Sequence, residues 1–288
     1  MRVQDFNKQE LKKLFTPKPN SHKGQNGKVM VIGGSKLFHA ASLWPLKVAS
    51  RMTDMVFYSS VTENNQIVQK AKEEFRDGII VPRLKIEDYI EEADCILIGP
   101  GLPRKSGEEE GDDDTKKLTE GLLKKYPHKK WVIDGGSLQT IDLAFIPQTA
   151  ILTPHAKEFE TLFKVKIKNS KGKNETQNSK VAEIVRQKAE VYKCVVLLKG
   201  QVDVVSDGET TVQIKGGNAG MTKGGTGDVL AGLVAALYCK NSAFLSACAG
   251  SYINKKAGDE LFEKVGYYFN TSDLVSQIPQ TMRNLSAI

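Results

Sequence analysis

Apolar and polar positions along the chain switch between two periods. Short unbroken apolar runs recur, each closed by small or turn-forming residues, and amphipathic stretches of helical period separate most of them. Runs of that kind read as strands buried on both faces, the pattern of a parallel sheet covered by helices. They predict strands at Lys28–Ile32, Val56–Val61, Ile79–Pro82, Cys95–Ile98, Trp131–Asp134, Ala150–Thr153 and Val195–Leu198. Helices are predicted over Phe38–Thr53, Gln66–Phe75, Ile86–Ala93, a segment ending near Tyr126, His155–Phe163 and Ser179–Tyr192. The first fifteen residues read as a surface helix stopped by Thr16-Pro17-Lys18-Pro19. Val202–Val205 and Thr210–Ile214 flank Asp207-Gly208, a hairpin signal. The apolar run Val229–Leu237 and segments near Ser242–Ala257, Asp259–Glu263 and Ser272–Leu285 complete the chain as helices.

This alternation predicts one α/β domain over residues 1–288, with a mainly parallel sheet and helices on both faces. No repeat or linker divides it. Turns rich in glycine follow the strands: Gly33-Gly34-Ser35, Gly99-Pro100-Gly101, Asp134-Gly135-Gly136, Thr153-Pro154-His155 and Lys199-Gly200. Such sheets bind ligands beyond the carboxyl ends of their strands, so these turns should line one rim. Taken singly, each is equally ordinary punctuation between strand and helix.

The stretch Gly216–Ala236 stands apart. Five glycines fall within Gly216–Gly225, followed by Thr226, Gly227, Asp228 and the apolar helix. Glycine lets backbone N–H groups approach a ligand unobstructed. At a helix start these groups are unpaired and backed by the positive end of the dipole, which makes an anion site. Asp228 falls in the first turn, where the dipole favours its ionised form, and beside a phosphate cradle it reads as a base that activates a hydroxyl. The plainer alternative is that Thr226 or Asp228 caps the helix.

Composition narrows the field without choosing within it. The chain has 288 residues, 40% hydrophobic and 26% charged, which is ordinary for a globular domain. Its 41 Lys and Arg against 34 Asp and Glu give +7. That excess is diffuse, suits an anionic small molecule, and argues against nucleic acid. Cys95, Cys194, Cys239 and Cys248 show no C-x-x-C spacing and read as buried free thiols. The N-terminus is polar and no apolar run is long enough to cross a bilayer, so neither secretion nor a membrane partner is expected. A cytoplasmic location follows. The acidic run within 108–114 and the lysines of 164–179 (Lys164, Lys166, Lys168, Lys171, Lys173) read as solvated loops. A cation site and attraction of dinucleotide phosphates are the respective alternatives. There is no G-x-x-x-x-G-K-[ST], H-E-x-x-H, G-x-S-x-G or G-x-G-x-x-G, and four scattered histidines make a zinc site improbable. Asn174-Glu175-Thr176 matches a glycosylation sequon, which means little without secretion.

Five blocks in order carry a family resemblance: His22–Ser35 (HKGQNGKVMVIGGS), Ile98–Leu102 (IGPGL), Thr153–Phe159 (TPHAKEF), Leu197–Gly200 (LLKG) and Asn218–Gly232 (NAGMTKGGTGDVLAG). Together they resemble the ADP/ATP-dependent NAD(P)H-hydrate dehydratases of the ribokinase-like superfamily, without the epimerase domain often fused ahead. The resemblance implies a repair reaction: the ring hydroxyl of hydrated NADH or NADPH is phosphorylated by ADP or ATP, phosphate leaves, and the dihydropyridine is restored. It implies Asp228 as catalytic base and substrate contact, and Ala40, Gly101 and His155 around the hydrated substrate. His155 as a core or helix-start residue is the competing reading. It further implies Lys199, Gly200 and Gly227 at the nucleotide, and the N–H groups of Gly224, Gly225, Thr226 and Gly227 around the transferred phosphoryl group. Mg²⁺ is expected with the nucleotide, and no protein metal ligand is assigned.

Departures from the family pattern concern Leu102-Pro103, where a glycine usually follows, and Lys157, where glycine is usual. Asp134-Gly135-Gly136-Ser137 lacks the second acidic residue of its block. A kinase of the thiazole or pyrimidine type would use the same Asp228 and glycine turn but release a phosphorylated product. A catalytically idle nucleotide sensor would not need Asp228. The sequence does not choose ADP over ATP, NADH over NADPH, or a homo-oligomer over a monomer.

Overall fold

The computed structural model describes residues 3–104, 108–167 and 175–286. Its strands are β1 (Gln4–Asp5), β2 (Lys28–Ile32), β3 (Met55–Ser59), β4 (Ile79–Ile80), β5 (Cys95–Ile98), β6 (Lys130–Ile133), β7 (Ala150–Leu152), β8 (Val195–Leu198), β9 (Asp203–Ser206) and β10 (Thr211–Ile214). The helices are α1 (His39–Ala49), α2 (Thr62–Ala71), α3 (Ile86–Glu92), α4 (Thr115–Lys125), α5 (Gly135–Thr140), α6 (Ala156–Phe163), α7 (Glu175–Tyr192), α8 (Thr226–Tyr238), α9 (Ala243–Val265) and α10 (Thr271–Ser286).

All the strands join one sheet in the order β1-β10-β9-β8-β7-β6-β5-β2-β3-β4. From β4 to β8 every neighbouring pair is parallel. Only β9 runs against its neighbours, β8 and β10. Chain order reverses between β2 and β5, which pair Val29 with Cys95 and Ile32 with Ile98. That reversal is the switch point at which an open parallel sheet leaves a crevice.

The apolar strands are buried on both faces because alternate residues enter two cores. Met30, Ile32, Ile96, Ile98, Trp131 and Ile133 face α3–α7. Val29, Val31, Cys95, Leu97 and Val132 face α1, α2, α8 and α9. A further core joins α1, α8, α9 and α10 around Val48, Leu233, Ile253 and Leu274. Gly232 makes the α1–α8 crossing possible, since a Cβ there would lie 2.6 Å from Cα of Pro45. The four cysteines are free and buried. Among the described residues, no helix is long and apolar enough to cross a membrane.

Several elements differ from the sequence expectation. The N-terminal segment is the short strand β1, paired with β10, and a 3₁₀ turn at Lys8–Lys13 rather than a surface helix. Edge pairing set this conformation, and pairing of that kind leaves no local apolar pattern. Residues of the expected Ser242–Ala257 and Asp259–Glu263 helices form one continuous α9. Gly258 continues that helix because it packs against Met221, whose Sδ would lie 2.3 Å from an added Cβ. Gly135-Gly136 opens helix α5, where a turn was expected. The acidic run is anchored: Asp113 pairs with Arg83 at 2.6 Å, and Asp112 accepts the Lys36 N–H at 2.8 Å. Lys168, Lys171, Lys173 and Asn174 lie outside the described residues.

Candidate active site

The strand-end turns meet on one rim because β8, β7, β6, β5 and β2 are contiguous and parallel. Gly33-Gly34 leaves β2 at the switch point. Gly34 has φ +75, and a Cβ there would lie 2.1 Å from Nδ2 of Asn64 and 2.6 Å from Oγ of Ser42. Beneath it lies a buried polar group that the sequence reading missed. Ser42 and the Tyr58 hydroxyl are 2.7 Å apart, and the Asn64 amide donates to Tyr58 at 3.0 Å and to Ser60 at 2.9 Å. Gly101, φ +72, faces the Gly34 Cα and the Phe38 carbonyl. Ala40 lies in the first turn of α1, next in the chain to Ala41, whose Cβ would lie 3.0 Å from a Cβ on Gly101. Pro103 is buried, and its carbonyl accepts the Thr115 hydroxyl at 2.8 Å.

Four ionisable groups gather at the ends of β6, β7 and β8 and the start of α8. Lys199 Nζ lies 2.7 Å from Oδ1 of Asp134, and the Thr153 hydroxyl donates to the same oxygen at 2.8 Å. Glu158 is buried in the first turn of α6, where the Gln139 amide donates to it at 3.2 Å. His155 is the N-cap of α6. Its Nδ1 accepts the Glu158 N–H at 3.1 Å, and Glu158 Oε2 accepts the His155 N–H at 2.9 Å. The helix-start reading of His155 therefore holds for both its ring Nδ1 and its backbone N–H, while the side chain stays 47% exposed on the rim. The capping signal was present in the sequence as His155-x-x-Glu158, one side chain away from the usual Ser or Thr form.

Helix α8 starts at Gly225, which has φ +96 and caps it without a side chain. Neither Thr226 nor Asp228 is the cap: the Thr226 hydroxyl turns back to the Met221 carbonyl at 2.7 Å. Among the described residues, the N–H groups of Gly224, Gly225, Gly227 and Asp228 find no acceptor. Unpaired donors at the positive end of a 13-residue helix form an anion cradle. Trp44 walls one side, since a Cβ on Gly225 would lie 2.1 Å from its ring. Lys199 walls the other, with Nζ 3.3 Å from the Cβ position of Gly227. Gly200 N–H donates to Asp203 at 2.8 Å, leaving its own α-carbon exposed.

The charge balance at Asp228 is opposite to the one expected from the helix dipole. Burial pushes its carboxyl up to about 8, the Asp134 charge adds to the rise, Lys199 opposes it, and Glu158 adds again. The side chain is partly open to solvent, yet the surrounding protein is dense and it accepts no hydrogen bond among the described residues. Desolvation without a compensating donor outweighs a dipole effect of about 1 kcal/mol. Glu158 is likewise raised, by burial first and against the pull of Lys199. Burial pulls Lys199 down, but Asp134, Glu158 and Asp228 more than offset it, so the ammonium stays charged.

Chemically, this rim offers an anion cradle, a carboxylate able to take a proton near neutrality, and a fixed cation between them. No cage of three or more His, Cys, Asp or Glu side chains for a metal ion occurs among the described residues. Lys199 occupies the position between Asp134 and Asp228 that a cation would need, so the residues present do not fit a resident magnesium ion.

Comparison with known proteins gives a consistent result. The family described as NAD(P)H-hydrate dehydratase matches residues 29–280. The bifunctional NAD(P)H-hydrate repair enzyme Nnr of Methanocaldococcus jannaschii is 35% identical over 284 residues, covering 95% of this chain and 52% of that protein. The chain thus spans about half the length of the first curated relatives it matches. The ADP-dependent (S)-NAD(P)H-hydrate dehydratase of Nitrosopumilus maritimus is 34% identical, with 96% of each chain covered. In fold, the chain resembles an ADP/ATP-dependent NAD(P)H-hydrate dehydratase from Bacillus subtilis, crystallised with ATP/Mg²⁺. The TM-score is 0.76 and the identity 19%, with 99% of both chains covered.

Proposed function

The chain belongs to the NAD(P)H-hydrate dehydratase family, and from that premise we propose that it repairs hydrated NADH or NADPH in the cytoplasm at the expense of ADP or ATP. The observation that carries this reading is the set of unpaired N–H groups at Gly224, Gly225, Gly227 and Asp228, next to a carboxyl held at about 8.

In this reading the hydrated nicotinamide ring enters the crevice between Gly34, Ala40, Gly101 and His155. The nucleotide lies along Lys199, Gly200 and Gly227. Asp228 accepts the ring hydroxyl proton as the oxygen attacks the terminal phosphorus, and the bond to the leaving phosphate of the nucleotide breaks. The free N–H groups of Gly224, Gly225, Gly227 and Asp228 stabilise the charge on the transferred phosphoryl group, the main lever in such transfers, while the Thr226 N–H is turned back to the Lys223 carbonyl at 3.4 Å. The ring nitrogen lone pair then expels phosphate from carbon, and loss of a proton from the adjacent carbon restores the dihydropyridine. A carboxyl titrating near neutrality suits both taking and returning a proton. Magnesium would arrive as the nucleotide's complex and would supply charge neutralisation there, and no step runs through a protein-held ion.

Incubating the protein with hydrated NADH and either nucleotide tests this directly. Recovery of reduced-nicotinamide absorbance with one phosphate released per turnover is expected. A stable phosphorylated product without recovery would instead assign a small-molecule kinase of the same fold.

A further inference from the structure

Lys255 stands in the middle of α9 with its side chain only 9% exposed. A buried ammonium is costly unless its donors are satisfied. Here all of them point at one place. Nζ donates to the carbonyls of Gly200 at 3.0 Å and Gln201 at 3.2 Å, and reaches that of Gly216 at 3.4 Å. Oδ1 of Asp203 lies 3.2 Å away.

Those acceptors come from separate parts of the chain. Gly200 and Gln201 form the turn after β8, and Gly216 begins the glycine stretch after β10. The strand β9 lies between β8 and β10, and Asp203 is its first residue. Asp203 accepts the Gly200 N–H at 2.8 Å through Oδ1 and the Ser251 hydroxyl at 2.7 Å through Oδ2. One turn further along α9, Asp259 accepts the Gly217 N–H at 3.1 Å. The helix therefore grips the glycine stretch and the β8 turn at once, and Lys255 is the only described side chain hydrogen-bonded to both.

We infer that Lys255 is a positioning residue that fixes the spacing of the two nucleotide-bearing turns, and so sets nucleotide affinity without taking part in chemistry at Asp228. It holds the turns through their carbonyls, and the free N–H groups at Gly224, Gly225, Gly227 and Asp228, further along the glycine stretch, are left for ligand. The inference rests on the nucleotide assignment made under Proposed function.

Lys255→Met removes the donors at nearly constant volume. Calorimetry with ADP and with hydrated NADH, together with steady-state rates, reads the outcome. The nucleotide Kd and KM should rise about tenfold, while kcat at saturating nucleotide and the KM for hydrated NADH stay within about twofold. A loss falling equally on kcat, or an unchanged nucleotide Kd in the folded variant, would overturn the inference and leave the proposed activity standing. Lys255→Met combined with Asp203→Asn neutralises the abandoned carboxylate and serves if the single variant does not fold; the same nucleotide-selective loss is expected. If the parent protein binds neither ADP nor ATP, the nucleotide assignment fails, and the role of Lys255 fails with it.

Discussion

Lys199 Nζ sits 2.7 Å from Oδ1 of Asp134, so the cation that faces Asp228 is already claimed by another carboxylate. An isolated lysine beside Asp228 would hold it ionised. Shared with Asp134 and Glu158, it leaves the Asp228 carboxyl raised to about 8. Burial raises the carboxyl first and Asp134 adds to the rise, so a lysine shared in this way opposes the shift without cancelling it.

That arrangement fixes the pH dependence. If ionised Asp228 is the base, kcat/KM of the parent should climb as pH rises towards about 8. Asp134→Asn removes a like charge and frees Lys199, both of which lower the Asp228 pKa. The acidic limb of the profile should therefore move to lower pH. A limb that stays in place, measured with the variant folded, would separate Asp228 from the proton transfer.

Asp228→Asn should cut turnover by about 10²–10⁴, a barrier rise of roughly 3–5 kcal/mol. Its effect on stability should have the opposite sign. The native carboxyl titrates near 8 against an ordinary value of 3.8, so the native state holds a proton that the unfolded chain has lost. This contribution is complete below about pH 4 and is lost as pH rises through about 8. The amide variant should show a flatter fall of Tm across that window. Activity within a few-fold of the parent would refute the base assignment.

Gly225 and Gly227 should respond differently to added bulk. Gly225→Ala forces a side chain into φ +96 and against Trp44, and should cost about 1–3 kcal/mol in strain alone, read as a lowered Tm. Gly227 meets only the end of Lys199, so Gly227→Val should stay folded. Its side chain would fill the approach to the cradle, and nucleotide affinity measured by calorimetry should fall at least about tenfold. Equal affinity in a folded variant would move the nucleotide elsewhere.

His155 combines two duties that one pair of variants can divide. His155→Ala should lose about 1 kcal/mol of helix stability along with any substrate contact. His155→Ser keeps an N-cap oxygen for the Glu158 N–H but removes the exposed ring. The KM for hydrated NADH should rise in both, while Tm falls only in the alanine variant. An unchanged KM would leave His155 with capping alone.

The strands of the parallel sheet were legible because Val29–Ile32, Ile96–Ile98 and Val195–Leu198 are apolar on both faces, which only a covered sheet satisfies. The unpaired donors at the end of the glycine stretch were legible because they are backbone groups, whose exposure glycine announces. The charge cluster was not. Asp134, Glu158, Lys199 and Asp228 come from four separate segments, and their mutual field exists only once β6, β7 and β8 lie side by side. Local reasoning saw a helix dipole at Asp228 and missed the burial that outweighs it and the carboxylates that add to that burial. Lys255 hid for the same reason: within Asn254-Lys255-Lys256 it reads as a solvated charge, and only its burial against three carbonyls reveals its partners.

The path taken by α8 has a consequence for how the molecule is made. The chain leaves β10, near one edge of the sheet, and returns to lay α8 over β2, β5 and β6 at the centre. Until residues 226–238 arrive, Val31, Leu97 and Val132 lack the part of their cover that α8 supplies on that side. Contacts between such distant segments form slowly, and the waiting surface is prone to self-association. The helix that seals this face also carries the cradle and Asp228 at its first turn. Closure of the central core and assembly of the candidate site are thus one event, and an unfinished copy, sticky as it is, has no cradle.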